Sequence, residues 1–132
     1  MNQYMLDTNT VCNLVRQQVM VVSHIVSLPM AAISISAITA GEMLFGLAKH
    51  PVSTRLHIAI QEFLQRVQVF PWELAAAEHY AVLRADLQRR GAALAPIDML
   101  IAAHALAVNA VLVTNDQAFS NVPGLATEDW TR

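Results

Sequence analysis

The sequence predicts a three-layer α/β fold, in which a mainly parallel central sheet is flanked by helices on both faces. Short apolar segments suited to strands alternate along the chain with longer segments whose apolar residues recur at helical spacing. A helix between two successive strands makes the right-handed crossover that parallel strands need. The length of 132 residues suits one compact core. We therefore expect residues 1–132 to form a single domain.

The predicted strands are short apolar segments that are bounded by turn-forming residues. They cover residues 3–6, 32–35, 67–70 and 110–114, with a last edge segment at 125–127. The predicted helices cover residues 10–28 as one helix or a broken pair, then 39 to about 50, 53–67, 73–90 and 97 to about 108. Pro51 ends the second of these helices, Gly91 suits a left-handed cap after the fourth, and Pro96 precedes the fifth.

Composition excludes several classes of protein. Hydrophobic residues make up 55% of the chain and charged residues only 14%, which excludes intrinsic disorder. The most apolar run, residues 99–113, is interrupted by His104 and Asn109 and is shorter than the roughly 20 residues of a membrane span. The first residues have no basic region typical of a signal peptide. We expect a soluble cytoplasmic protein without a membrane partner.

Cys12 is the only cysteine, which excludes an internal disulfide and a cysteine-based zinc site. The net charge of −2 argues against a protein that binds nucleic acid by neutralising phosphates alone. We interpret the five histidines as structural or surface residues, because only His50 and His57 approach ligand spacing and Pro51 separates them. Trp72 and Trp130 are interpreted as covers over a core edge.

Four acidic residues are predicted to converge. Ligands of parallel α/β sheets bind beyond the carboxyl ends of the strands. Asp7 and Asp116 each follow a predicted strand, while Glu42 and Asp98 are expected in the first turns of helices that start at the same edge. Clustered carboxylates repel one another unless a cation neutralises them, and Mg²⁺ is the default for oxygen ligands beside phosphate.

Each acid also has an ordinary structural interpretation. Glu42 follows Thr39 by three residues, as in a capping box. Asp98 near a helix start could interact with the helix dipole, and Asp7 and Asp116 could form turns. The convergence of all four is what favours a site.

The same residues carry a family resemblance that spans nearly the whole chain. The chain resembles the VapC toxins of the PIN-domain ribonuclease family in four successive motifs and in its ending. These are Met5-Leu6-Asp7-Thr8-Asn9, Ile35-Ser36-Ala37-Ile38-Thr39 leading to Glu42, Pro96-Ile97-Asp98 with Ile101-Ala102-Ala103, Val113-Thr114-Asn115-Asp116 with Phe119, and Val122-Pro123-Gly124-Leu125 with Glu128-Asp129-Trp130. The ending is similar to that of enterobacterial members.

The resemblance implies a PIN fold and a Mg²⁺-dependent endoribonuclease, with Mn²⁺ as an alternative metal, that leaves a 3′-hydroxyl and a 5′-phosphate. Asp7 and Asp98 would be the main metal ligands, Glu42 would bind the metal or orient its water, and Asp116 would complete the site through water. Asn9 and Thr114 would brace the ligands.

The resemblance also implies partners. The first candidate substrate is tRNA, cut in the anticodon arm of initiator tRNA so that translation stops; a ribosomal RNA loop or broad mRNA cleavage remains open. A homodimer is expected, together with a hetero-oligomer in which a cognate VapB-type antitoxin places a basic side chain in the acidic site. Among the basic groups that could contact RNA phosphates, we expect most to lie on solvated helix faces. They are Arg16, Lys49, Arg55, Arg66, Arg84, Arg89, Arg90 and Arg132.

Two other functions remain open. A catalytically inactive partner-binding module would use the acids only as caps. A phosphatase with an aspartate nucleophile fits poorly, because Asn9 stands where its second acid belongs and Lys49, the only lysine, precedes the late strand. The glycine-rich motifs of dinucleotide-binding and P-loop proteins are absent from the sequence.

Overall fold

In a computed structural model that describes residues 2–50 and 54–132, a parallel sheet forms the middle layer. Its described strands are β1 (Tyr4–Leu6), β2 (Ile33–Ser36), β3 (Gln68–Phe70), β4 (Val111–Val113) and β5 (Thr127–Glu128). Their order is β3-β2-β1-β4-β5, and every neighbouring pair is parallel. The predicted fold class is confirmed. The carboxyl ends of all these strands therefore lie at one edge.

Six α-helices lie within the described residues, and none of them is long and apolar enough to cross a membrane. They are α1 (Thr8–Val15), α2 (Val19–Val26), α3 (Ala37–Lys49), α4 (Thr54–Arg66), α5 (Leu74–Arg90) and α6 (Pro96–Ala107). The predicted helix 10–28 is a broken pair, because Gln17 takes a positive φ of 61° between α1 and α2. The predicted cap at Gly91 is confirmed by its left-handed φ of 66°.

Several predicted boundaries differ from the structure. Helix α3 begins at Ala37 rather than residue 39, because the Ser36 side chain accepts from the Ile38 N–H and caps the helix. Glu42 consequently lies in the second turn, and its predicted place in the first turn is wrong. The last strand begins at Thr127, two residues after the predicted start at residue 125, and its Glu128 pairs with Val113. Pro51 and the start of the predicted helix 53–67 lie outside the described residues.

Two apolar clusters fill the space on either side of the sheet. Met5 and Leu112 belong to one cluster with α5 and α6, whereas Leu6 and Val113 belong to the other with α1 to α4. Successive strand residues point to opposite faces, which explains the division. Trp130 is buried in the second cluster, stacked on a histidine ring. We call the side of the sheet with the first cluster the α5–α6 face, and the side with the second cluster the α1–α4 face.

Candidate active site

Asp7 lies at the carboxyl end of the central strand and starts α1. Its Oδ1 accepts a 2.8 Å hydrogen bond from the Thr10 N–H, so it is also the N-cap of that helix. The residue is only 4% exposed. Burial raises the pKa of this carboxyl, hydrogen bonds with Thr114 and Thr10 oppose the rise, and the charge of Asp116 adds to it. A buried carboxylate of this kind is stabilised by a bound cation.

The end of the neighbouring strand β4 brings Thr114 and Asp116 to the same edge. The Thr114 Oγ1 accepts from the Asp116 N–H at 3.0 Å, and its hydroxyl also lowers the pKa of Asp7. Asp116 is exposed and caps a short 3₁₀ turn through the Ala118 N–H at 2.9 Å. Thr114 therefore links the two acids. Within the described chain, no hydrogen bond joins the exposed Asn9 side chain to any of the four acids.

Asp98 reaches the site from the first turn of α6. Burial is the largest cause of the raised pKa of its carboxyl, followed by the negative charges of Asp116, Asp7 and Glu42. These charges act on Asp98 from three other elements, so the fold brings together four acids that are scattered along the chain.

Glu42 approaches from the second turn of α3. Its Oε1 accepts from the Thr8 hydroxyl at 3.4 Å, which links it to the first turn of α1. The capping-box interpretation of Glu42 is wrong, because Ser36 is the N-cap and the buried Thr39 hydroxyl has no partner within the described chain. Asp7 and Asp116 do act as caps, but capping does not require four acids to share one edge.

The donor set suits a hard divalent cation, because every candidate ligand is a carboxylate oxygen. Across residues 2–50 and 54–132, no three His, Cys, Asp or Glu side chains converge closely enough to form a ready cage. Mg²⁺ does not need such a cage, since it keeps several waters and is held by one or two carboxylates together with phosphate oxygens. Asp7, after β1, and Asp98, in the first turn of α6, are carboxylates that could hold it in this way.

His104 has a role that the sequence did not reveal. Its Nδ1 lies 2.7 Å from the Ser36 Oγ, and its ring also bonds the backbone of Pro71. The Ser36 Oγ accepts from the Ile38 N–H, so its own proton can be donated to Nδ1 of a neutral ring. His104 thus ties α6, which carries Asp98, to the cap of the helix that carries Glu42. In the sequence, the only signal of this role was that His104 interrupts the apolar run 99–113.

The PIN-domain family model matches residues 4–125. The chain belongs to this family, whose nucleases generally depend on a divalent metal. It is 34% identical over 132 residues to the tRNA(fMet)-specific endonuclease VapC of Shigella flexneri, covering 99% of this chain and 100% of that relative. These extensive matches place the chain among the VapC relatives.

Comparison with solved structures gives the same family. DNA-bound VapBC from Salmonella typhimurium contains a chain that is 33% identical, with a TM-score of 0.90 over 98% of this chain and 99% of that one. VapBC2 from Rickettsia felis, bound to a promoter DNA fragment, gives a TM-score of 0.87 at 30% identity, over 96% and 98%. The PIN fold implied by the sequence motifs is confirmed.

Proposed function

We propose that this protein is the toxin of a VapBC-type toxin–antitoxin pair and acts as a Mg²⁺-dependent endoribonuclease. The observation that carries the proposal is the electrostatic coupling of Asp98 to Asp116, Asp7 and Glu42 at the carboxyl edge of the sheet. The relatives support it, since they are named as endonucleases and ribonucleases. Paired carboxylates with a divalent cation are suited to phosphodiester hydrolysis.

In the proposed reaction, Asp7 and Asp98 would hold the cation, and Glu42 would bind it or orient the attacking water. When bound, Mg²⁺ would supply activation of that water and neutralisation of the charge on the leaving oxygen. The water oxygen bonds to phosphorus as the bond from phosphorus to O3′ breaks, and O3′ takes up a proton. The products are a 3′-hydroxyl and a 5′-phosphate. The Thr10 N–H and the Thr114 hydroxyl keep Asp7 oriented, while Asp116 contributes through water.

The proposed substrate is tRNA, with the anticodon arm of initiator tRNA as the first candidate. The support is that two relatives, from Shigella flexneri and Salmonella typhimurium, are named tRNA(fMet)-specific endonucleases. Cleavage there would inhibit translation, in the cytoplasm. Mn²⁺ is the alternative metal, since it also accepts carboxylate and water ligands.

The proposed partners are a cognate VapB-type antitoxin and a second copy of this chain. We also propose that residues 1–132 form one domain. Several similar solved structures are VapBC complexes, which supports the antitoxin. Large apolar side chains also remain uncovered: Val19 is 77% exposed, Val26 75% and Phe45 63%. Such a surface is typical of a protein that binds a partner.

The test is incubation of purified, antitoxin-free protein with total bacterial RNA, with and without Mg²⁺, followed by end mapping of the cut sites. We expect discrete metal-dependent cuts. Asp7→Asn should reduce the rate by more than about 100-fold, beyond the roughly 10–100-fold typical of residues that only support a ligand. Asp116→Asn should have the smallest effect of the four acids, because Asp116 is exposed and acts through water.

The competing function is a partner-binding module without catalysis, which the exposed apolar side chains also suit. Absence of cleavage by folded, metal-loaded protein on tRNA, ribosomal RNA and mRNA would refute the nuclease and leave the module. Cuts that persist unchanged in Asp7→Asn would instead indicate a contaminating nuclease.

A further inference from the structure

An RNA-cleaving protein with a net charge of −2 must use its few basic residues selectively. Three of the eight take part in ion pairs. Arg89 and Arg90 both contact Asp86, at 3.7 Å and 2.8 Å, and Arg132 contacts Asp129 at 3.2 Å. A phosphate would have to compete with these carboxylates.

Three more basic side chains have other local neighbours. Lys49 lies 5.7 Å from the centroid of the Phe45 ring, and Arg84 donates to the Tyr80 hydroxyl at 3.0 Å. Arg66 lines an apolar cavity together with the acidic side chain of Glu62. Cation–π contacts and a neighbouring acid reduce the attraction of these groups for phosphate.

Arg16 and Arg55 differ from the others in their surroundings. Both are exposed, and neither takes part in an ion pair within residues 2–50 and 54–132. They line the same cavity of about 370 Å³, between the end of α1 and the start of α4. Two guanidinium groups that face one cavity form a local positive site on an acidic protein.

This cavity continues toward the acids. An adjoining cavity of about 200 Å³ shares Arg16 and Leu56 with it and extends to Thr8 and Glu42. The thiol of Cys12 lines the adjoining cavity, and it is close enough to feel the charge of Arg16 as well as the charges of the acids. Burial raises its pKa, the positive charge of Arg16 opposes the rise, and the charges of Asp7 and Glu42 add to it. The arginine pair is therefore a neighbour of the acidic site.

We propose that Arg16 and Arg55 form a phosphate subsite that holds the RNA strand beside the bond to be cleaved. The proposal rests on the proposed ribonuclease function. The planar guanidinium group binds phosphate oxygens through two parallel hydrogen bonds, which suits a backbone that carries one charge per nucleotide. The acids and their cation bind the reacting phosphate, and the arginines bind a phosphate further along the same strand.

The binding test uses Asp7→Asn protein, which leaves the RNA intact, and a fluorescent single-stranded RNA oligonucleotide. The test variant adds Arg16→Ala and Arg55→Ala. The control variant instead adds Arg89→Ala and Arg132→Ala, which remove the same charge from ion-paired positions. We expect the Kd of the test variant to rise at least about tenfold at moderate salt, and the control to change less than about threefold.

The salt dependence provides a second readout that overall charge does not explain. Each phosphate contact contributes about 0.7 to the slope of log K against log salt for single strands, so losing two contacts should reduce the slope by about 1.4. The control should keep the slope of the Asp7→Asn parent. Equal weakening by the two double variants, or an unchanged slope in the test variant, would overturn the subsite.

A cleavage arm separates the subsite from the nuclease. With Asp7 restored, Arg16→Ala with Arg55→Ala should raise KM while kcat is largely kept, because the reacting groups are untouched. A fall in kcat with unchanged KM would argue against a binding role. If wild-type protein fails to cut RNA while binding still depends on Arg16 and Arg55, the nuclease is refuted and the two arginines remain only as an RNA-binding site. Absence of RNA binding overturns the subsite, whereas the cleavage assay decides the nuclease.

Discussion

The two faces of the sheet are built differently. The α5–α6 face carries two helices packed on each other, and the arginines near the end of α5 are paired with an acid on the same helix. The α1–α4 face carries four helices, and its cavities run to Glu42 past two arginines that form no ion pair within the described residues. Two cavities on the α5–α6 face, at residues 80–99 and 79–123 of the described chain, are lined by none of the four acids. The contrast indicates that the α5–α6 face contributes Asp98 to the site, whereas the cavity beside the acids lies on the α1–α4 face.

The largest expected effect on stability comes from a substitution that leaves a void in the core of the α5–α6 face. Ile101 is 1% exposed in α6, whereas Leu56 is 36% exposed in α4. Ile101→Ala should reduce the free energy of unfolding by about 2–5 kcal/mol, because buried apolar contacts are lost and a void remains. Leu56→Ala, the matched control, should cost clearly less. Urea unfolding measures both, and equal losses would contradict the difference in burial between the two side chains.

A smaller effect is expected at His104, where the two faces are connected. His104→Phe removes both ring nitrogens but keeps an aromatic ring beside Phe70, and the unpaired groups of Ser36 and Pro71 should cost about 1–3 kcal/mol. In a double-mutant cycle with Ser36→Ala, the two losses should not add. Activity should also fall, because Glu42 and Asp98 lose their common support. Additive losses would show that the hydrogen bond does not couple the helices.

The same histidine gives a pH dependence with a definite sign. Burial lowers the pKa of His104 below its ordinary value of 6.5, so the unfolded chain binds this proton more tightly than the folded one. The neutral His104 ring therefore contributes its full stabilisation above pH 6.5, and this stabilisation is lost as the pH falls below 6.5 toward the folded pKa. The His104→Phe variant has no ring nitrogen to protonate, so it does not lose stability in this way. The difference between the two unfolding free energies should consequently narrow as the pH falls, and a constant difference would count against a neutral buried ring.

The smallest effect is a gain of stability in Asp7→Asn protein without metal. Burial raises the pKa of Asp7, so its charge destabilises the fold as the pH rises through the folded pKa. Asparagine removes that charge and remains a good N-cap for Thr10. The melting temperature at neutral pH should rise, whereas Asp86→Asn, which breaks ion pairs on α5, should not raise it. Added Mg²⁺ should stabilise wild type more than Asp7→Asn; the reverse order would argue against metal binding at Asp7.

Sequence patterns predicted most elements because their signals are local. Gly91 marked the end of α5, Pro96 the start of α6, and the apolar run before Asp7 the central strand. Local signals failed where a residue has two roles. Ser36 ends a buried strand and also caps α3, so the helix starts before the predicted residue 39. The paired segment at Thr127–Glu128 depends on β4, which a local pattern does not reveal.

The sequence by itself determined the alternation of strands and helices, the placing of Asp7 and Asp116 after strands, and the motifs shared with VapC proteins. Tertiary structure decided the strand order and the approach of Glu42 and Asp98 to those acids. His104 and Ser36 are 68 positions apart and meet only when α6 packs against the start of α3. Hydrophobic spacing selects local conformation within one or two turns, whereas such contacts arise from the packing of whole elements across the sheet.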